Sequence, residues 1–213
     1  MKTNSRTMNQ CLVTLMLGFL LSSMAGESLR AGEPIVSPSP AEDCFRAGTL
    51  EGTADAGLLF SPFLATQNRP TLNYELTEVQ LGYMLTPVHG SSFYRGNVEL
   101  VGSIFDGWIV EGRGTYVAGA TAWLRYNFVP RSAHLVPFVE AGAGVTSTDL
   151  DRRIEGQDFN FNLNLGIGAR YFITRKWSVN LEYRYQHISN GNMSSRNLGV
   201  NADGPMLGVS YFF

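Results

Sequence analysis

The stretch Phe159-Asn160-Phe161-Asn162-Leu163-Asn164-Leu165-Gly166-Ile167-Gly168-Ala169-Arg170-Tyr171-Phe172-Ile173 decides the fold. Its odd positions are apolar, whereas Asn160, Asn162, Asn164, Gly166, Gly168 and Arg170 are polar or small. Successive side chains of a strand point to opposite faces, so this is a β-strand with one greasy face and one polar face. The pattern recurs downstream. Trp177, Val179, Leu181, Tyr183 and Tyr185 oppose Ser178, Asn180, Glu182, Arg184 and Gln186, and Leu207, Val209, Tyr211 and Phe213 oppose Gly208 and Ser210. Tyr116 to Phe128 alternates as well, blurred by Val117 and Trp123 on the second face. Weaker strands are expected over 49–66, 74–86, 95–110 and 134–148, bringing the count to eight.

Composition limits what such a chain can be. Of 213 residues only 16% are charged, well under the roughly 25% of soluble domains, while 12% are aromatic and 23 are glycine. Acids outnumber bases 18 to 16 with no Lys/Arg run, so there is no basic surface to track phosphates, and nucleic acid is excluded as a partner. Residues 1–25 read as a signal peptide: Lys2 and Arg6, a short apolar core from Leu12 to Leu21, and small residues up to a cleavage point after Ala25. Ala31 is the second choice, and Cys11 leaves with the signal. Residues 26–47, with Pro34, Pro38 and Pro40, read as a flexible leader before a folded body at 48–213. Cys44 then stands without an intramolecular disulfide partner. After the signal, the longest charge-free stretch, Val79 to Tyr94, is broken by Pro87, His89, Gly90, Ser91 and Ser92, so no spanning helix is expected there.

Eight alternating strands in a secreted chain of low charge fit an all-β fold, an eight-stranded antiparallel transmembrane barrel of the outer-membrane type. Apolar residues would face lipid and polar or small ones the interior, which in a barrel of this size is filled by side chains and leaves no pore. The links Val129 to Ser132 and Thr174 to Lys176 are short, and those around Asp149–Gln157 and Asn190–Pro205 are long, so the long links open outward. A soluble sandwich or lipocalin-like barrel also alternates, but would carry its greasy side inward.

Candidate chemistry lies near the outer end of strand seven. His187 and Ser189 continue the greasy face of Tyr183 and Tyr185, so both project towards the outer leaflet. A serine beside a histidine is a nucleophile with its general base, and a polar pair facing lipid points to work on lipid. Residues that had simply left the membrane as loop would show the same spacing. His89 and His134 stand alone and read as surface or interface residues. No His/Cys cluster has metal-ligand spacing, and no metal or other cofactor is expected.

His187-Ile188-Ser189-Asn190-Gly191, followed by Arg196-Asn197-Leu198-Gly199-Val200-Asn201 and a short last strand, resembles the signature of the lipid A 3-O-deacylases, PagL-type acyloxyacyl hydrolases of the outer membrane. Pro137 to Val145 resembles that family's middle strand. The resemblance implies a serine esterase that removes an ester-linked acyl chain, at the 3-position, from lipid A of lipopolysaccharide. It implies Ser189 as nucleophile, His187 as base, and Asn190 with the N–H of Asn192 as oxyanion donors. Two positions depart from the family. Asn201 stands where the family has the glutamate that orients the histidine, and Asn192 stands where it has a glycine. An asparagine can hold the imidazole tautomer without supplying charge, while Asp203, two residues on, is the alternative acid. Three outcomes stay open: activity with Asn201 as orienter, activity with Asp203, or activity lost or altered. A non-catalytic barrel with a structural or adhesion role is the competing function, and a homodimer is compatible with either.

Overall fold

The computed structural model describes residues 43–61, 70–130 and 134–213. The signal segment 1–25 and the leader up to residue 42 lie outside the described residues. Eight strands, β1 (Leu50–Leu59), β2 (Asn73–Met84), β3 (Gly96–Glu111), β4 (Tyr116–Phe128), β5 (Leu135–Thr148), β6 (Phe159–Phe172), β7 (Trp177–Ser189) and β8 (Val200–Phe212), form one closed antiparallel barrel. Each strand pairs with its sequence neighbours, and β8 closes on β1 from Glu51↔Phe212 to Gly57↔Met206.

What faces outward settles which kind of barrel this is. Leu163, Leu165, Ile167, Leu181 and Leu207 are 56–62% exposed on the outer wall, while Arg125, Arg170 and Arg184 are at most 3% exposed inside. A water-soluble barrel would reverse that arrangement; a wall of leucine and isoleucine around a charged interior belongs in lipid. Outward-facing aromatics gather at both rims. Phe60, Trp108, Tyr116, Phe159 and Phe161 mark one end, and Tyr83, Tyr126, Phe128, Tyr171, Trp177, Tyr211 and Phe213 the other. Aromatic girdles at both interfaces are the signature of an outer-membrane wall. Both ends of the barrel chain lie at the second rim, with the short links 129–134 and 173–176, which makes it the periplasmic end. The outer links 60–72, 149–158 and 190–199 are longer, although 112–115 is tight and the periplasmic link 85–95, with its 3-10 turn at Ser92–Tyr94, is not short.

Inside, the barrel is filled in three layers. Near the outer end Leu59, Leu72, Tyr74, Leu76, Phe105, Ile188 and Met206 belong to one apolar cluster. At the periplasmic end Phe45, Met84, Val129, Val136, Phe172 and Phe212 form a second. Between them runs a charged belt. Arg170 meets Glu51 at 2.7 Å and Glu99 at 3.1 Å, Arg184 meets Glu182 at 2.8 Å and also Glu78, and Arg125 pairs with Glu140. The Phe138 ring lies between two of these cations, 4.8 Å from Arg125 and 5.0 Å from Arg170, and Trp123 carries the third at 4.7 Å. Gly166 leaves room for one of these carboxylates, since a Cβ there would stand 2.5 Å from a Glu182 oxygen. Removing one partner of a buried ion pair costs about 3–5 kcal/mol. Arg170→Met, which takes the cation from Glu51 and leaves Glu99 only Arg125 at 3.6 Å, is therefore expected to lower the temperature at which the barrel loses its compact gel mobility. An unchanged transition temperature would show that the belt contributes nothing.

Two boundaries differ from the sequence reading. Cys44 and Phe45, read as part of the end of a flexible leader, pack on the periplasmic mouth: Phe45 is fully buried and stacks edge-on to Phe172 (5.9 Å) and Phe212 (5.6 Å). The mouth needs an apolar stopper, and the phenylalanine supplies it. Beside it the Cys44 thiol donates to the Arg175 carbonyl at 2.9 Å, and burial pushes it up to about 12. Since the thiolate is the reactive form, a maleimide should label Cys44 about 10³-fold more slowly in the folded protein than after unfolding. Equal rates would mean that the stopper is not in place. The second difference is β8, which begins at Val200 and not after Pro205. Asn201, Asp203 and Pro205 pair with His187, Tyr185 and Tyr183, so the outer link is 190–199.

Candidate active site

The outer ends of β7 and β8 carry polar residues on the membrane face, as β2 and β3 do at Glu75, Thr77 and Asp106. In β7, even positions are buried inside and Tyr183, Tyr185, His187 and Ser189 face outward. Register pairs His187 with Asn201 and Tyr185 with Asp203, so Asn201 and Asp203 share that outward face. His187 Nδ1 and Asn201 Oδ1 are 2.6 Å apart. With the amide oxygen accepting, Nδ1 carries the proton and Nε2 is left as the basic nitrogen. Asn201 is 7% and Asp203 4% exposed despite their outward aspect. Asp203 is not turned towards the imidazole: its carboxylate accepts the phenol hydrogen of Tyr183. Ser189 ends β7 two residues beyond His187, half-buried, and its hydroxyl makes no hydrogen bond to a described residue. Two residues along a strand are about 6.6–6.8 Å apart, so the pair shares a face and closes by side-chain rotation. Nucleophile–base contacts are commonly loose without substrate.

The turn after Ser189 holds the two oxyanion candidates. Asn190 is fully buried; its Nδ2 donates to the Arg196 carbonyl at 2.6 Å, which uses one of its two amide hydrogens, and its Oδ1 has no partner among the described residues. Its backbone N–H points to Glu155 Oε2 (3.2 Å) and Asn197 Oδ1 (3.1 Å). Gly191 and Asn192 are both left-handed, with φ of 62° and 63°, and Met193 N–H closes the turn on the Asn190 carbonyl at 3.1 Å. Asparagine is among the few side chains that take this conformation readily, so Asn192 fills a glycine position without disrupting the turn. Its side chain accepts from Asn197 Nδ2 at 2.9 Å. His89 and His134 sit in periplasmic links, His89 on the Pro87 carbonyl (3.0 Å) and His134 against Tyr171 (6.2 Å), at the opposite end from this cluster.

Two residues of the site are given no role by the sequence, although Asn197 lies within the signature. Glu155, in the link between β5 and β6, is fully buried and contacts the backbone at both ends of the 190–199 link. Asn197 joins Asn190 and Asn192. Glu155 is one of several acids in a long polar link, and nothing in the sequence says which of them turns inward.

Wall, girdles and rim define an outer-membrane β-barrel with a histidine-centred polar cluster on its membrane face. Residues 68–210 match the sequence model of the lipid A 3-O-deacylase (PagL) family, a span that includes every site residue above. The chain belongs to that family. The crystal structure of the outer membrane enzyme PagL is similar with a TM-score of 0.54 at 17% identity, over 73% of this chain and 97% of that one. Neisserial surface protein A, NspA, reaches the same TM-score of 0.54 at 14% identity, over 78% and 98%. At these identities both likenesses concern the fold. No curated protein matches the chain.

Proposed function

We propose that the protein is an outer-membrane esterase that hydrolyses the acyl ester at the 3-position of lipid A, with Ser189 as nucleophile and His187 as base. Family membership gives the substrate class, and the observation that carries the mechanism is the 2.6 Å contact between His187 Nδ1 and Asn201. That contact leaves Nε2 free to take the Ser189 proton as Oγ attacks the ester carbonyl. The tetrahedral oxyanion is met by the remaining Asn190 amide hydrogen and the Asn192 N–H. Collapse breaks the ester bond, and the sugar oxygen leaves with the proton from the imidazolium. Water then attacks the acyl-serine by the same route in reverse order and releases the fatty acid, so the cycle balances without a metal or redox cofactor.

The address of the site suits this substrate. Its polar groups lie on the lipid side of the wall, at the outer rim next to Phe159 and Phe161, where a glycolipid of the outer leaflet presents its ester bonds. Asn201 in place of an acid favours one second reading, a barrel of this family that has lost catalysis and keeps a structural or adhesion role.

The test is to refold the protein in detergent, add lipopolysaccharide, and follow released fatty acid together with the lipid A mass. Wild type is expected to remove one acyl mass and Ser189→Ala none. No loss from wild type supports the non-catalytic reading, and equal loss from both proteins removes Ser189 from the mechanism.

A further inference from the structure

Glu155 is a carboxylate on one outer link that grips the backbone of another. Its Oε1 accepts the Gly199 N–H at 2.7 Å, and its Oε2 accepts the Asn190 N–H at 3.2 Å. Those two amides bracket the 190–199 link. Asn190 directly follows Ser189, and Gly199 lies two residues before Asn201. Gly199 itself is left-handed, with φ of 67°, at the turn into β8. One side chain therefore ties both ends of the link that joins the strand holding the serine to the strand holding the histidine's partner.

The grip is part of a wider seam. Leu198 N–H donates to the Ile154 carbonyl at 3.0 Å and Gly156 N–H to the Arg196 carbonyl at 2.9 Å, on either side of Glu155. Arg196 is also the residue whose carbonyl holds the Asn190 side chain. Burial beneath the link leaves the Glu155 oxygens no bulk water; the Gly199 amide is held at 2.7 Å, and the Asn190 amide is shared with Asn197 Oδ1 at 3.1 Å. The Asn190 N–H, adjacent to the nucleophile and a natural oxyanion donor, is thereby turned away, and the work falls to the Asn190 side chain and the Asn192 N–H.

We propose that Glu155 is a positioning residue for the esterase site: it fixes the 190–199 link so that Ser189, Asn190 and Asn192 face one substrate carbonyl. This rests on the esterase reading above. A site held by such a grip loses rate and not substrate affinity when the grip is removed, because the lipid contacts lie on the wall while the oxyanion donors lie on the link.

The experiment compares wild type, Glu155→Ala, Glu155→Gln and Arg152→Ala in lipopolysaccharide hydrolysis, with heat-dependent gel mobility as the check on folding. Arg152 makes an exposed ion pair with Asp158 at 2.9 Å and donates to the Gly156 carbonyl at 3.3 Å in the same link, so its variant perturbs the link and touches neither bond of Glu155 to Asn190 and Gly199. Glu155→Ala is expected to fold and to lose about 30-fold in kcat, the size of hydrogen bonds to a charged group, with KM within about twofold. Glu155→Gln keeps the shape but offers one accepting oxygen, so its loss is smaller, about 10-fold; it decides the matter if Glu155→Ala does not fold. Arg152→Ala is expected to match wild type. An active wild type with equally active Glu155 variants, a change in KM alone, or an equal loss in Arg152→Ala overturns the positioning role. An inactive wild type overturns the esterase reading instead.

Discussion

Ser189→Ala is expected to lower kcat for lipid A deacylation by about 10⁴-fold or more, with the barrel unaltered. The size follows from what nucleophile removal does in serine hydrolases, where only oxyanion and binding contributions survive. The fold should be indifferent to the change. Ser189 is the last residue of β7, half-buried, and its hydroxyl is bonded to no described residue, so alanine leaves no buried group unsatisfied. Gel mobility before and after heating checks that point, and a rate assay on lipopolysaccharide checks the first. His187→Ala should be comparably inactive. The double variant should be no worse than either single one, because nucleophile and base act as a unit. A Ser189→Ala protein within about tenfold of wild type would assign the chemistry elsewhere.

Asn201 is expected to show the second large effect, in both directions. Asn201→Ala removes the acceptor 2.6 Å from His187 Nδ1 and should cost about 10²-fold or more in kcat, since the imidazole loses its fixed tautomer. Asn201→Glu should raise kcat by about 10- to 100-fold. An amide can present either its oxygen or its NH₂ to the ring, and only the first leaves Nε2 basic. A carboxylate can only accept, and it also stabilises the imidazolium that forms. Asp203→Ala should change the rate little, since its carboxylate is engaged by Tyr183. Full activity in Asn201→Ala with none in Asp203→Ala would transfer the orienting role to Asp203.

The parts that the sequence disclosed share a physical reason. Lipid selects an unbroken greasy face, so β4, β6 and most of β7 show their alternation and their ends fall close to where the barrel places them. The start of β8 was hidden by the feature that gives it interest. Asn201 and Asp203 put polar groups on the lipid side, and Pro205 interrupts the donors of the ladder, so a paired strand has the look of a loop. A site on the membrane face thus erases the signal by which the strand around it is found. The motif from His187 to Asn201 located the site, and register then brought Asn201 to the imidazole. Phe45 and Glu155 were hidden for another reason. Each acts through a contact distant along the chain, Phe45 with Phe172 and Phe212 and Glu155 with Asn190 and Gly199, and local pattern contains no trace of such pairing.

Ser189 as an activated nucleophile can be tested in one measurement. The refolded protein is treated with a fluorophosphonate carrying an alkyl chain, digested, and the peptides are weighed. The expected result is a single covalent adduct on the peptide containing Ser189, absent after His187→Ala. An unmodified Ser189 in protein whose gel mobility shows it to be folded, or an adduct that forms equally without His187, would contradict the mechanism.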